Sequence, residues 1–167
     1  MGAWTLGTAA LCLVLAGIGV AGEKGETVFK LFPIGTVERA EGKTYLVVQE
    51  KFAPGLLGLD GFSHVVVLYW FDKNDTPEKR SILQVHPRGN AANPLTGVFA
   101  CRAPVRPNLV ALSVARIVAV ERNRVQVADI DAFDHTPILD LKPFIPADNP
   151  TQGVRLPDWA TKGKGEK

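Results

Sequence analysis

Two arginines stand on a proline-rich segment, and they are the side chains whose types and spacing most clearly point to chemistry. Pro104 and Pro107 fix the backbone φ and cannot donate to a sheet ladder, so they end a predicted short strand over residues 98–101. Arg102 and Arg106 then lie on a stiff segment, which we call the arginine loop (residues 101–108). A guanidinium held in this way can bind a carboxylate or a phosphate in fixed geometry. The alternative is a surface turn with two solvated arginines.

A second polar segment, which we call the acidic loop (residues 131–137), offers complementary groups. Asp131 and Asp134 can accept hydrogen bonds from ribose hydroxyls, and Phe133 can flank a flat base. The alternative is that both aspartates form only Asx turns, which is the common fate of aspartates in loops. The two loops together predict a site for a nucleoside-like ligand with an anionic group.

The three histidines, His64, His86 and His135, lie far apart in the chain. They lack the close spacing of zinc-binding motifs, so we expect no metal site. His64 opens the central apolar run, where it can serve the site or simply bond a backbone carbonyl.

The composition is that of one ordinary globular domain. The chain has 167 residues, of which 46% are hydrophobic and 22% charged, and its formal net charge is +2. It contains no strand–GxGxxG–helix unit, no P-loop and no Gly-x-Ser-x-Gly elbow. The usual dinucleotide-binding and ATP-binding motifs are therefore absent.

Residues 1–22 carry no charged side chain and end in Gly19-Val20-Ala21, a small-x-small sequence. This pattern predicts a secretory signal peptide and hence an exported protein. An uncleaved membrane anchor is the alternative, because the stretch is about as long as a spanning helix. A misassigned start codon, with a cytoplasmic product, is the third possibility. Cys101 would be the only thiol after cleavage, and we expect a small buried residue rather than a reactive one.

The remaining chain consists of short apolar runs separated by Gly- and Pro-containing turns, without a long helical pattern. This organisation predicts an all-β fold, an antiparallel barrel or sandwich. The folded domain is expected over residues 27–147, and a largely disordered tail over residues 148–167. The predicted strands are residues 29–37, 43–49, 62–71, 81–85, 98–101, 109–121 and 124–130, and turns are predicted at residues 41–42 and 122–123. Residues 52–60 are expected to form a short helical turn or an irregular loop.

Four sets of motifs carry a resemblance to a known family. In chain order they are Phe62-Ser63-His64, His86-Pro87-Arg88, residues 97–102 with Arg106-Pro107-Asn108, and Asp134-His135-Thr136-Pro137 with residues 140–146. Together they resemble the TsaA-like family over residues 34–146. Its best-known members are bacterial tRNA methyltransferases that act on threonylcarbamoyladenosine next to the anticodon.

The resemblance implies a single antiparallel β-barrel with long loops that binds S-adenosylmethionine without a Rossmann fold. It also implies a homodimer with the site near the interface, and methylation of an adenosine in tRNA. Arg102 and Arg106 would hold the cofactor carboxylate or a substrate phosphate, and Asp134 would accept the proton of the exocyclic amine. The positions implied to line the cofactor are Leu112, Asp131, Ala132, Phe133 and Asp134. The positions implied to support the substrate or the loops are His64, Arg88, Asn108 and Lys142.

The sequence departs from the family pattern at several of these motifs. Residues 107–111 read Pro-Asn-Leu-Val-Ala instead of Pro-Asn-Pro-Ile-Gly, and Asp72-Lys73 replaces His-Gln. His135 replaces a glycine, which could narrow the site or deny it a left-handed backbone. The leader adds a conflict, because S-adenosylmethionine and tRNA are cytosolic. The alternative function is therefore an exported, non-enzymatic module that binds a nucleoside-like or anionic small ligand on the same barrel.

Overall fold

The structure, a computed structural model, describes residues 28–148 and 153–161. The chain divides into two compact units, residues 1–30 and residues 31–167, and the fold below belongs to the second. The predicted leader lies outside the described residues, as do residues 149–152 and 162–167 of the predicted tail. Among the described helices, none combines the length and the hydrophobicity that crossing a membrane requires.

The domain is a closed six-stranded antiparallel barrel with the strand order β1-β2-β7-β6-β3-β8, closed by pairing of β8 with β1. This confirms the predicted all-β barrel. A separate two-stranded sheet, β4–β5, lies in the long connection between β3 and β6. The strands are β1 Gly35–Ala40, β2 Lys43–Val48, β3 His64–Trp70, β4 Gln84–Val85, β5 Thr96–Gly97, β6 Val110–Glu121, β7 Arg124–Ala128 and β8 Pro137–Pro143. Two one-turn α-helices are described, α1 Pro77–Arg80 and α2 Asp158–Thr161.

The core fills the barrel interior with every second residue of the strands. Val37, Leu46, Val65, Val67 and Val125 are each 0% exposed. Full burial of such a side chain contributes about 1.5–3 kcal/mol, so the alternation fixes which face of each strand points inward.

The hairpin turns were predictable from local sequence. Glu41 and Gly42, with φ of 52° and 73°, join β1 to β2, as expected for a two-residue turn with left-handed residues. The β6–β7 turn falls at the predicted residues 122–123. Asn123 secures it, because its side-chain amide donates to the Val48 carbonyl at 2.8 Å.

The predicted strand over residues 98–101 is wrong. Val98–Ala100 forms a 3-10 turn, in which Val98 is buried and its carbonyl accepts a hydrogen bond from the Arg106 guanidinium at 3.1 Å. A side chain from the arginine loop thus takes the place of a ladder partner. The predicted strands at residues 29–37 and 81–85 are also shorter in the structure, starting at Gly35 and Gln84.

β8 was missed because proline stands at each of its ends. Pro137 begins the strand and Pro143 ends it, and these are positions at which a residue without an N–H is tolerated. The strand between them pairs with β3 along most of its length.

Leu112, Val114, Val118 and Val120 share one parity in the sequence of β6, which predicts one common face, but the structure keeps only part of this set together. Leu112, Val114 and Val118 face outward and are 43%, 40% and 47% exposed, whereas Ala111 and Ala115 fill the interior. A register shift between residues 117 and 119 changes the parity, so the later valine of this set, Val120, packs against the core. The outer face of β6 therefore exposes three apolar side chains, with the exposed Arg116 between Val114 and Val118.

Candidate functional site

The candidate site lies at one end of the barrel, where β1, β3 and β7 finish and β2, β6 and β8 begin. We call this the loop end. The acidic loop connects β7 to β8 there, and the connection from β3 to β6, which includes the arginine loop, leaves and returns there. Antiparallel topology thus brings the two predicted loops to the same end of the molecule.

Arg39, near the end of β1, binds the acidic loop along its length. Its guanidinium donates to the carbonyl of Ala132 at 2.7 and 3.2 Å and to that of Ile130 at 3.1 Å. Its backbone N–H donates to Asp134 Oδ1 at 2.9 Å. Nothing in the sequence motifs singled out Arg39.

Tyr69 holds the same loop from inside the barrel. Its side chain is buried, and its hydroxyl donates to the Asp131 carbonyl at 3.1 Å and lies 3.2 Å from Ser113 Oγ. A buried phenol needs a hydrogen-bond partner, and the acidic loop supplies it. The position of the loop is therefore coupled to β3 and β6.

Successive residues of the segment 130–133 face alternately toward the core and toward solvent. Ile130 and Ala132 are 8% and 4% exposed, whereas Asp131 is exposed and Phe133 is 67% exposed. The ring of Phe133 carries the Lys73 ammonium 4.5 Å from its centroid. A carboxylate, an aromatic ring and a cation thus share one exposed surface.

The two arginines of the arginine loop differ in their contacts. Arg106 folds back on its own loop and donates to the carbonyls of Val98 at 3.1 Å and Ala103 at 3.4 Å. Arg102 is exposed, and its guanidinium makes no hydrogen bond or ion pair within residues 28–148 and 153–161. Arg102 is therefore the one of the two that is available for a ligand.

Arg80, in α1, joins the arginine loop to the end of β3. Its guanidinium donates to the Pro107 carbonyl at 2.8 Å and to Asp75 Oδ1 at 2.8 Å, and it lies over the Trp70 ring. The Trp70 indole N–H donates to Asp75 Oδ2 at 2.9 Å. Lys73 also lies in the connection from β3 to β6, and it contacts Phe133 of the acidic loop. This connection therefore links the arginine loop to the acidic loop.

Acid is expected to weaken this junction. The hydrogen bond from Arg80, and then that from Trp70, hold the pKa of Asp75 below its ordinary value of 3.8. A carboxyl group with a lowered pKa in the folded state stabilises that state above about pH 4, and this contribution disappears as the pH falls below it. The Arg80 and Asp75 side chains are 35% and 41% exposed, so the contribution is below about 1 kcal/mol.

The measurement is chemical denaturation of the wild-type protein and Asp75→Asn at several pH values. The wild-type advantage in free energy of unfolding should be constant near neutrality and shrink toward zero below pH 4. A difference in free energy of unfolding that stays the same at every pH would contradict this prediction.

The other predicted positions are distributed over both ends of the barrel. Leu112 pairs with Leu68 near the loop end, and Arg88 and Asn108 lie in the β3–β6 connection. His64 pairs with Arg116 and lies four residues before Leu68 along β3. At ~3.3 Å per residue, its α-carbon is therefore about 13 Å from that of Leu68, away from the loop end. Lys142, near the end of β8, is ion-paired with Asp140 at 2.6 Å. One copy of the chain therefore does not gather all of the predicted residues.

His135 keeps the backbone conformation that the family's glycine would give. Its φ is 62°, and its side chain is 83% exposed, with Nε2 3.3 Å from Asp134 Oδ2. The substitution therefore does not deny the acidic loop its left-handed residue. Residues other than glycine adopt this region at a cost of about 1 kcal/mol.

His135→Gly is expected to raise the free energy of unfolding by about 0.5–1 kcal/mol, because glycine adopts a positive φ without steric cost. Urea denaturation measures the change. His135→Ala is the matched control, since it removes the imidazole but keeps the Cβ, and it should give no gain. Equal stabilisation by both variants would show that the imidazole, not the backbone, is responsible.

The described residues contain no group of three or more His, Cys, Asp or Glu side chains placed to hold a metal ion. Two surface depressions, of about 190 Å³ beside Tyr45 and Arg124 and about 470 Å³ beside Asn93 and Trp159, do not involve the acidic loop. In one copy of the chain, Arg102, Asp131 and Phe133 of the candidate site are exposed to solvent.

Comparison with known proteins places this geometry in a family. Residues 28–149 match the family described as the tRNA-methyltransferase O N-terminal domain. A probable S-adenosyl-L-methionine-binding protein of Methanocaldococcus jannaschii is 47% identical over 116 residues, which are 70% of this chain and 92% of that protein. A mouse tRNA (adenine(37)-N6)-methyltransferase is 43% identical over 90 residues, which are 54% of this chain and 20% of the enzyme.

The fold is shared with solved structures as well. The crystal structure of TrmO from Pseudomonas aeruginosa superposes with a TM-score of 0.64 and 27% sequence identity, covering 82% of this chain. The chain spans 64% of that TrmO chain, just under two thirds of its length. The motifs, the barrel and the sequence match agree, and the chain therefore belongs to the family of the tRNA-methyltransferase O N-terminal domain, as its TsaA-like motifs predict.

Proposed function

We propose that this protein is an S-adenosylmethionine-dependent methyltransferase that modifies an adenosine in tRNA. The observation that carries the proposal is the acidic loop, held by Arg39 and Tyr69 at the same end of the barrel as the arginine loop, whose Arg102 has no partner among the described residues. Relatives named as S-adenosyl-L-methionine-binding proteins and as tRNA (adenine(37)-N6)-methyltransferases support the ligand and the reaction.

The residues present fit this cofactor. Asp131 and Asp134 offer carboxylates to ribose hydroxyls, and the exposed side chains of Leu112 and Phe133 offer apolar surface to a base. Arg102 offers a guanidinium to the carboxylate of the methionine part. The cofactor supplies a methyl group activated by a sulfonium.

The protein's contribution to such a reaction is mainly positioning. Methyl transfer needs an in-line approach of the two reactants, and holding them in that geometry can supply much of the rate enhancement. In this proposal Asp134 is the carboxylate that accepts the proton of the adenine amine. Its Oδ1 accepts from the Arg39 amide, while Oδ2 faces the exposed His135, and the side chain is 43% exposed.

Two assays test the proposal. Calorimetry on the purified protein should show binding of S-adenosylmethionine, and the labelled methyl group should be transferred to unmodified or partly modified tRNA. Absence of both binding and transfer would overturn it, and binding without transfer to any tRNA would leave the non-enzymatic alternative.

The proposed active form is a homodimer. Leu112, Val114 and Val118 make an exposed apolar face on β6, and exposed apolar patches of this kind often mark interfaces. His64 and Lys142, which one copy leaves away from the acidic loop, could be supplied by the second copy. This arrangement would also cover a site that is open in one copy.

Val114→Glu is expected to convert the dimer to a monomer and to weaken cofactor binding, because it places a charge in the apolar face. Sedimentation and calorimetry measure the two effects. Leu57→Glu is the matched control, since Leu57 is 95% exposed in a loop outside that face. A wild-type protein that is monomeric at micromolar concentration would overturn the dimer.

The uncharged residues 1–22 favour a second candidate, an exported binding module without enzymatic activity. Cell fractionation with N-terminal sequencing distinguishes the two. A processed protein that begins near Gly22 outside the cytoplasm would favour the exported module, and a cytoplasmic product would favour the methyltransferase.

A further inference from the structure

We infer that Arg39 is a positioning residue for the candidate cofactor loop, a role that rests on the proposed function. The side chain crosses from β1 to a loop more than 90 residues away in sequence and makes three hydrogen bonds to its carbonyls. Its backbone N–H adds a fourth, to the carboxylate of Asp134. One residue thus contacts positions 130, 132 and 134.

The carbonyls of residues 130–132, where the acidic loop begins, depend on side chains for their hydrogen bonds. Within the described part of the chain, the carbonyls of Ile130 and Ala132 accept from Arg39, and that of Asp131 accepts from Tyr69. Backbone contacts resume only at Phe133, whose carbonyl accepts from Thr136 N–H at 3.3 Å. Residues 130–132 thus have no ladder to hold their conformation.

Arg39 influences the exposed side chains of the acidic loop because successive residues of the loop face alternately inward and outward. Because the carbonyls of residues 130 and 132 are held toward β1, the side chains of the residues between and after them, Asp131 and Phe133, are directed outward. The bond to Asp134 Oδ1 fixes the second carboxylate of the loop as well. Among the described residues, the Arg39 guanidinium contacts only the carbonyls of residues 130 and 132, and Arg39 reaches the proposed base Asp134 through its backbone N–H alone, so the effect of its side chain is on orientation.

The geometry requires a guanidinium rather than a positive charge. Nε and Nη2 both bond Ala132, and Nη2 also reaches Ile130, which is a fork that a lysine ammonium cannot reproduce. Arg39→Lys should therefore weaken cofactor binding as much as Arg39→Ala does. If only the positive charge mattered, lysine would preserve the affinity.

Calorimetry with S-adenosylmethionine on the full chain, well below the unfolding temperature, tests the inference. Loss of three hydrogen bonds, partly compensated by water, is expected to weaken binding roughly tenfold in both variants. Added guanidinium ion at millimolar concentration should restore part of the affinity of Arg39→Ala and none of that of Arg39→Lys. Val125→Ala is the control for destabilisation, because it weakens the core on β7 without touching the loop.

Amide hydrogen exchange provides a readout that needs no ligand. Residues 131–135 should exchange faster in both Arg39 variants and not in Val125→Ala. Failure of the wild-type protein to bind the cofactor would overturn the proposed function but leave this exchange test standing. Unchanged exchange and unchanged affinity in Arg39→Ala would overturn the positioning role alone.

Discussion

Replacing Arg102 by alanine is expected to weaken S-adenosylmethionine binding by roughly ten- to a hundredfold, the range for a hydrogen bond to a charged group of about 1.5–3 kcal/mol. The guanidinium is exposed and has no partner among the described residues, so removing it leaves the fold intact. Calorimetry measures the affinity. Arg155→Ala, which removes another exposed arginine from the C-terminal segment, is the control for net charge.

A ligand that lacks the carboxylate separates the two roles implied for Arg102. If Arg102 holds the cofactor carboxylate, Arg102→Ala should weaken S-adenosylhomocysteine but leave 5′-methylthioadenosine unchanged. If it holds a substrate phosphate, neither ligand should be affected, and RNA affinity should fall with a smaller dependence on salt. Equal weakening of both small ligands would contradict both roles and point to a disturbed loop.

Arg106 should behave differently despite its place in the same loop. Its guanidinium already bonds the carbonyls of Val98 and Ala103, so its loss would disorder the loop rather than remove a ligand contact. The sequence assigned the two arginines the same role, because spacing does not reveal which side chain folds back.

The parts of the fold that could be predicted are those with local causes. The turn at Glu41-Gly42, the long apolar strand β3 and the β6–β7 hairpin all follow from neighbouring residues. β8 could not be found in this way, because its strand is specified by pairing with β3, about 70 residues earlier, and prolines obscure its ends. Similarly, the sequence of β6 does not show that its large apolar side chains, Leu112, Val114 and Val118, face outward while Ala111 and Ala115 face the core.

The candidate site shows the same division. The acidic loop and the arginine loop were found from their residue types, but the residues that fix them were not. Arg39 and Tyr69 act across 91–95 and 62 residues of sequence, respectively, so no local motif contains them. One signal was present for Tyr69: its hydroxyl falls on the buried parity of β3, and a buried hydroxyl implies a polar partner.

Barrel closure and the site meet along β1, whose first residues pair with β8 and whose later residues contact the acidic loop. Only two residue pairs join β1 to β8, Gly35 with Ile138 and Thr36 with Pro137, and Pro137 has no amide to donate. Backbone hydrogen bonds extend this joint, from Ile34 N–H to the Ile138 carbonyl and from Val37 N–H to the Thr136 carbonyl. The last of these reaches into the acidic loop, so a disturbance of β1 should reach the loop as well.

Gly35→Ala is therefore expected to lower the free energy of unfolding by about 3 kcal/mol, at the upper end for overpacking. A Cβ at this position would overlap the carbonyl oxygen of Val47 and lie 2.9 Å from the α-carbon of Val48, both of which are backbone atoms of β2 that no rotamer change can move. The strand would have to shift away from β2 or from β8, and either shift opens the barrel.

Urea denaturation and cofactor calorimetry measure the two consequences, lower stability and weaker binding. Gly97→Ala is the matched control, because Gly97 has an extended backbone and a Cβ there would approach only the Leu83 carbonyl, at 4.0 Å. It should leave both quantities within about 0.5 kcal/mol of wild type. Equal stability of the two variants would mean that β1 can move at little cost, and that the acidic loop is then held by Arg39 and Tyr69 rather than by barrel closure.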